Sequence, residues 1–242
     1  MLFRSAAVNG GPPTEPLYGL HGDALDAALA RRWSTTTEDV DVGAERWSLL
    51  KPANADHLIS EADYVMDERL PYWADLWPSA RVLAACLLTE VGGGRRLLEM
   101  GCGVGLATIA AMHAGFDVTA TDYYDDALHV TRANATRNLG REPVVQLVNW
   151  REWPESLVGF DVVMAADVLY EKEYATLVSE CVARALAPDG TAFIADPGRL
   201  ALPAFRDGLA ACGLVIASVD TQRYEAGLVK QDVQVMRIRR VA

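Results

Sequence analysis

The chain has 242 residues, 33 of them Asp or Glu and 22 Lys or Arg, for a formal net charge of −11. That length suits one α/β domain with an extension, or two small domains, and a 51% hydrophobic content supplies a sizeable core. The negative balance repels phosphate backbones and argues against sequence-independent nucleic-acid binding, and no stretch approaches the roughly eighteen apolar residues of a membrane span.

In chain order, residues 1–22 are rich in Gly and Pro and are expected to be irregular; MLFRSAAVNGGPP has no long apolar run of the secretory-signal kind. ALDAALARRW (24–33) places Leu25, Ala28 and Leu29 on one helical side. RWSLLKP (46–52) reads as a short strand and ADHLISEAD (55–63) as a small helix. With few large apolar residues, 1–65 is expected to be an N-terminal extension and 66–242 the main domain. DLWPSARVLAACLLTEV is a helix with Pro78 near its start, where the missing N–H costs nothing. The pattern then becomes regular. Strands are predicted at RRLLEM (95–100), FDVTATD (116–122), PVVQLVN (143–149), FDVVMAAD (160–167) and GTAFIAD (190–196), with two more at LVIASVD (214–220) and KQDVQVMRIRR (230–240). Helices are predicted at 106–115, 125–140, 171–188 and 201–213.

That alternation, β-α-β-α-β-β-α-β-α-β-β, implies an α/β fold: a doubly wound, mostly parallel seven-stranded sheet, helices on both faces, with an antiparallel C-terminal edge hairpin. Cys86, Cys102, Cys181 and Cys212 form no CxxC pair and have no histidine at zinc-ligand spacing. They read as reduced thiols of a cytoplasmic protein, with no metal site.

Three strand ends carry chemistry. LLEMGCGVGLATIA (97–110) is a glycine turn into a helix, with glycines at 101, 103 and 105; position 106 is Leu, so the dinucleotide GxGxxG spacing is missed. Asp122 ends the second strand, 21 residues after Gly101, where an acid accepts hydrogen bonds from ribose hydroxyls. Its bland reading is a helix N-cap, a task Asp125 can also fill. Asn149 and Trp150 end the third strand; they suit an adenine, or simply a turn Asn and a half-exposed ring.

Glu99 followed by these glycines resembles the S-adenosylmethionine (SAM) entry motif of Rossmann-like class I methyltransferases. LPYWADLWPSA (70–80), DVLY (167–170) and DPGR (196–199) narrow the likeness to the seven-strand protein lysine methyltransferases that include the electron-transfer flavoprotein β-subunit enzymes. The resemblance covers about 70–200. It implies that Trp77 packs near the methionine part of SAM, Glu99, Gly101 and Gly103 hold the amino acid end, Asp122 the ribose, and Asn149 and Trp150 the adenine. It places Asp167 and Tyr170 at the methyl-transfer site, with S-adenosylhomocysteine as product and a protein lysine as acceptor. A small-molecule acceptor and a non-catalytic SAM-binding module are the alternatives; a NAD oxidoreductase is the most distant. PYWADLW also reads as plain core, and DPGR as a turn with Arg199 in solvent. A lysine amine must be neutral to react, which at pH 7 costs roughly 4–5 kcal/mol. An apolar aromatic channel lowers that cost, whereas a carboxylate raises it. Asp167 is therefore expected to orient the amine and offset transition-state charge.

Overall fold

The computed structural model describes residues 17–58 and 71–241. After a 3₁₀ turn at Leu17–Gly19 come α1 (Gly22–Arg32) and an antiparallel hairpin, β1 (Thr35–Val42) and β2 (Glu45–Pro52). Two further 3₁₀ turns follow, Ala55–Leu58 and Tyr72–Ala74, the latter leading to α2 (Pro78–Leu87). The main run is β3 (Arg96–Met100), α3 (Leu106–His113), β4 (Asp117–Asp122), α4 (Asp125–Leu139), β5 (Val144–Leu147) and β6 (Phe160–Ala166). It continues with α5 (Lys172–Ala185), β7 (Leu186–Asp196), α6 (Leu202–Ala211), β8 (Leu214–Ala226) and β9 (Val229–Arg240). No helix among the described residues is long and apolar enough to cross a membrane.

The seven main strands lie in the order β5-β4-β3-β6-β7-β9-β8. The first five are parallel; β9 runs antiparallel to both β7 and β8. Strand order reverses between β3 and β6, which opens a crevice at their carboxyl ends. The doubly wound sheet expected from the sequence is present. Successive strand residues point to opposite faces. Leu97, Val162, Met164 and Phe193 therefore enter one core with α2, α3 and α4, while Leu98, Val163, Ala165 and Ile194 enter the other with α5 and α6. Both faces are covered, so each central strand reads as a nearly unbroken apolar run.

Three local readings change. Strand β1 falls on TTTEDVDV, which the sequence reading assigns to no element. Only Val40 and Val42 point inward, and pairing with β2 through the Gly43–Ala44 turn makes the strand. The helix expected at 55–63 begins as a 3₁₀ turn, Ala55–Leu58, and its remainder lies outside the described residues, as do 1–16 of the segment expected to be irregular. Trp77 caps α2 and Pro78 takes its first position, as the Trp-Pro pair predicts.

Helix α4 is buried on two sides, against the sheet and against α1 and β2, and buries polar residues accordingly: His129, Thr131, Arg132 and Asn134. Arg132 donates to the carbonyls of Leu17 and Leu20, pinning the start of the described chain. Asn134 and Asn138 act as a substitute strand. Asn134 accepts the Leu50 N–H at 2.6 Å and donates to the Leu50 carbonyl at 2.8 Å. One turn on, Asn138 does the same for Ser48, at 2.9 and 3.0 Å. Four residues of helix rise about 6 Å and two of strand about 6.7 Å, so the amides stay in register with the β2 edge. Asn134 also donates to the Val104 carbonyl at 2.9 Å, tying the hairpin to the glycine loop.

Replacing Asn134 with Ala leaves three buried backbone groups unpaired and is expected to lower stability by about 3 kcal/mol, against about 1 kcal/mol for Asn138→Ala at its half-buried position. Urea unfolding should show a lower midpoint at unchanged slope for both.

Candidate active site

Four strands end in a buried acid along one edge. In spatial order they are Asp122 on β4, Glu99 on β3, Asp167 directly after β6 and Asp196 on β7, exposed by 6%, 2%, 7% and 0%. Each carboxylate is held differently. Asp122 accepts the N–H of Gly103 and of Tyr124, both at 3.0 Å. Burial still pushes it up to about 6, opposed by those N–H groups. Glu99 accepts the Thr108 hydroxyl, yet burial pushes it up to about 8. Asp167 accepts Arg199 Nε at 2.7 Å on Oδ1 and Ser79 Oγ at 3.1 Å on Oδ2. Asp196 accepts the N–H of Gly198 and of Arg199 at 2.7 Å on Oδ1, while its buried Oδ2 has no partner among the described residues; burial raises it too.

The glycine loop lies across the inner end of this row. Gly103 has φ 54°, and a side chain there would meet the Trp73 carbonyl oxygen at 3.2 Å. Gly105 begins α3 at φ 85°, with Thr131 Cα 3.0 Å from where a Cβ would sit. Gly101 lies against Val168 and Trp150. Asp167 is the one non-glycine residue with positive φ (60°) among those described, and its N–H donates to the Ala195 carbonyl. Asp and Asn accept the left-handed region better than other side chains, and strain of this kind gathers at functional sites.

Aromatic rings line the outer end. Trp77, Tyr72, Tyr170, Tyr174 and Trp150 form a continuous arc, with successive ring centroids 5.3–5.9 Å apart. Trp77 donates its indole N–H to the Tyr72 carbonyl at 2.8 Å. Tyr170 is 40% exposed, and burial of its surroundings pushes the hydroxyl up.

All nine residues singled out in the sequence line this one cleft: Trp77, Glu99, Gly101, Gly103, Asp122, Asn149, Trp150, Asp167 and Tyr170. Two details differ from expectation. Asp125 is not the cap of α4; Tyr124 occupies that position, and the Asp125 carboxylate turns to Tyr18 and His129. Asn149 uses its side-chain oxygen on the Arg151 N–H at 3.1 Å, so its amide nitrogen is the group left for a ligand. The sequence reading took Tyr72 only as a core anchor, whereas it is 40% exposed; it passed over Tyr174 and Ser79, and read Arg199 as part of a turn or of the DPGR motif. Nothing in their spacing groups them, because they come from separate elements that meet only in the fold.

A row of buried carboxyl groups under aromatic walls fits a ligand that is cationic, and so favours their ionised form, and that carries hydroxyls and a flat ring. SAM has all three: an ammonium and a sulfonium, a ribose and an adenine.

The profile of a family described as lysine methyltransferase matches residues 72–199, more than half of the chain. Among known proteins, the chain is 32% identical to the electron transfer flavoprotein beta subunit lysine methyltransferase of Danio rerio over 139 residues, 53% of this chain and 51% of that protein. It is 37% identical to the protein N-lysine methyltransferase METTL21A of the same fish over 117 residues, 44% of this chain and 52% of that one. The chain thus spans about half the length of the curated relatives it matches. Among solved structures, magnesium protoporphyrin IX methyltransferase from Synechocystis, with SAM bound, superposes at a TM-score of 0.53 with 20% identity, over 76% of this chain and 94% of that one. The ribosomal protein L11 methylase of Lactobacillus delbrueckii does so at 0.50 with 21% identity, over 68% and 77%. At such identities the likeness is one of fold. The family match adds the segment that forms the cleft, from the Tyr72 turn to Arg199, and by that match the chain belongs to the lysine methyltransferase family.

Proposed function

We propose that the chain is a SAM-dependent N-methyltransferase that modifies a lysine side chain of a protein in the cytoplasm. The observation that carries this reading is the convergence, in one cleft, of a buried carboxylate row and an aromatic arc open to the surface at Tyr72 and Tyr170. Family membership and the names of its relatives support it, and the unpaired cysteines suit a reducing compartment.

When bound, SAM supplies an electrophilic methyl group on a sulfonium. Glu99 and the glycine loop hold the amino acid end, Asp122 the ribose hydroxyls, and Asn149 with Trp150 the adenine; Trp77 covers the methionine part. Tyr72 and Tyr170 strip water from the acceptor side chain and so favour its neutral amine. Asp167 aligns that amine. An amine so held would be placed to take the methyl group that SAM would supply, leaving S-adenosylhomocysteine, with one N–H proton passing to solvent. Alignment and exclusion of water are the main contributions the protein has to make to such a displacement.

Incubation with methyl-labelled SAM and a dialysed lysate is expected to label a protein band on lysine; label confined to a small-molecule fraction would overturn the reading. Asp167→Asn keeps the left-handed backbone preference and removes the charge. It is expected to lower turnover at least about hundredfold, with SAM affinity in calorimetry changed only a few-fold.

A pH effect follows from Glu99 and Asp122. Both are raised above their unfolded values, so the stability they contribute is fully present at low pH and is lost as pH rises through about 6 for Asp122 and about 8 for Glu99. A bound ammonium favours ionised Glu99. Binding at pH 7 should therefore release most of one proton, seen as a buffer-dependent calorimetric enthalpy, and Glu99→Gln should abolish that dependence.

A further inference from the structure

Asp167 poses a conflict. A carboxylate beside an amine favours the ammonium form, whereas methyl transfer needs the free amine. The surroundings of Asp167 remove the conflict. Arg199 brings two nitrogens to the same oxygen: Nε and Nη2 each lie 2.7 Å from Oδ1. Ser79, in the first turn of α2, takes one site on Oδ2. An ionised carboxylate offers about four acceptor sites, so roughly one remains, on Oδ2.

The guanidinium is itself fixed. It lies 5.5 Å from the Trp77 ring centroid, and the Arg199 backbone N–H is bonded to Asp196 Oδ1 within the DPGR turn. Its side chain is 35% exposed against 3% for Asp167, so the cation stands between the carboxylate and solvent. Asp196 from β7 also acts on the carboxylate; of the other ionisable groups lining the cleft, Glu99, Asp122, Asp75 and Glu171 are acids, Tyr72 and Tyr170 are phenols, and the cation Arg151 is paired with Glu173 at 3.0 Å. Arg199 is the one cation paired with Asp167 among the described residues.

We propose that Arg199 is a positioning residue for methyl transfer: by matching the charge of Asp167, it lets that carboxylate hold the acceptor nitrogen through its one remaining hydrogen-bond site without holding it as an ammonium. The inference rests on the SAM-dependent reading above. Asp196 acts one step further out, shaping the turn that delivers Arg199.

The test uses two ligands that differ by one charge, SAM, a sulfonium, and S-adenosylhomocysteine, a neutral thioether, in calorimetry on the full chain. Without the guanidinium the unmatched carboxylate attracts a cation, so Arg199→Met is expected to raise the preference for SAM over S-adenosylhomocysteine about tenfold. Arg199→Lys should leave it within about threefold, and adding Asp167→Asn to Arg199→Met should restore the wild-type ratio. With the labelled lysate protein as acceptor, the acidic limb of the rate should move up by about one pH unit in Arg199→Met. Affinities for both ligands that fall together with an unchanged ratio, or a rate that drops equally at every pH, would overturn the proposal. A wild-type chain that binds neither ligand would instead overturn the SAM reading, and this inference with it.

Discussion

Burying four carboxylates side by side is the constraint on which the rest of this molecule turns. Burial opposes charge, and a chain of net charge −11 has few cations to spend on the interior. The local conformations around the sheet edge are answers to that problem. The glycine loop turns a backbone N–H toward Asp122, the DPGR turn aims two at Asp196, and the first turn of α2 presents Ser79 to Asp167. Asp167 alone of the four has a guanidinium. Glu99, Asp122 and Asp196, whose hydrogen bonds come from neutral donors, stay raised, and the first two are the acids proposed for the cationic and hydroxyl-bearing parts of the cofactor.

The two apolar cores make this arrangement tolerable. Leu97–Leu98 of β3, Val162–Ala165 of β6 and Ala192–Ala195 of β7 enter opposite cores by turns, with the polar residues of each strand outside those runs. Stability is concentrated in the middle of the sheet, and the carboxyl edge holds what costs stability: a left-handed Asp167, an unpartnered Asp196 oxygen and half-exposed tyrosines.

The sheet was legible because its central strands are buried on both faces and three of its helices are followed by glycines, at 115, 140 and 213, signals that are local in sequence. The cleft was legible in two ways: Asp122 and Asn149 follow from the ends of predicted strands, while Glu99 and Asp167 follow from the family resemblance of the motifs that hold them. Two kinds of feature were not. Strand β1 is held by its partner and not by its own apolar content, so TTTEDVDV reads as polar chain. Arg199 and Ser79 matter because of a shared partner, Asp167, which lies 32 and 88 positions away respectively. A pairing of that range leaves no periodic trace, and DPGR by itself describes a turn equally well.

The asparagine ladder has a consequence for assembly. Leu50 meets Asn134 across 84 positions of chain, and the same amide group satisfies the Val104 carbonyl inside the glycine loop. Local helices and neighbouring parallel strands involve shorter closures, and contacts of long sequence separation tend to come late. A chain that has formed its sheet but not docked the β1–β2 hairpin thus leaves Asn134 half engaged, with α1 alone bracing the outer side of α4. Completion of the glycine loop is in this way made conditional on a hairpin that lies outside the cleft lining.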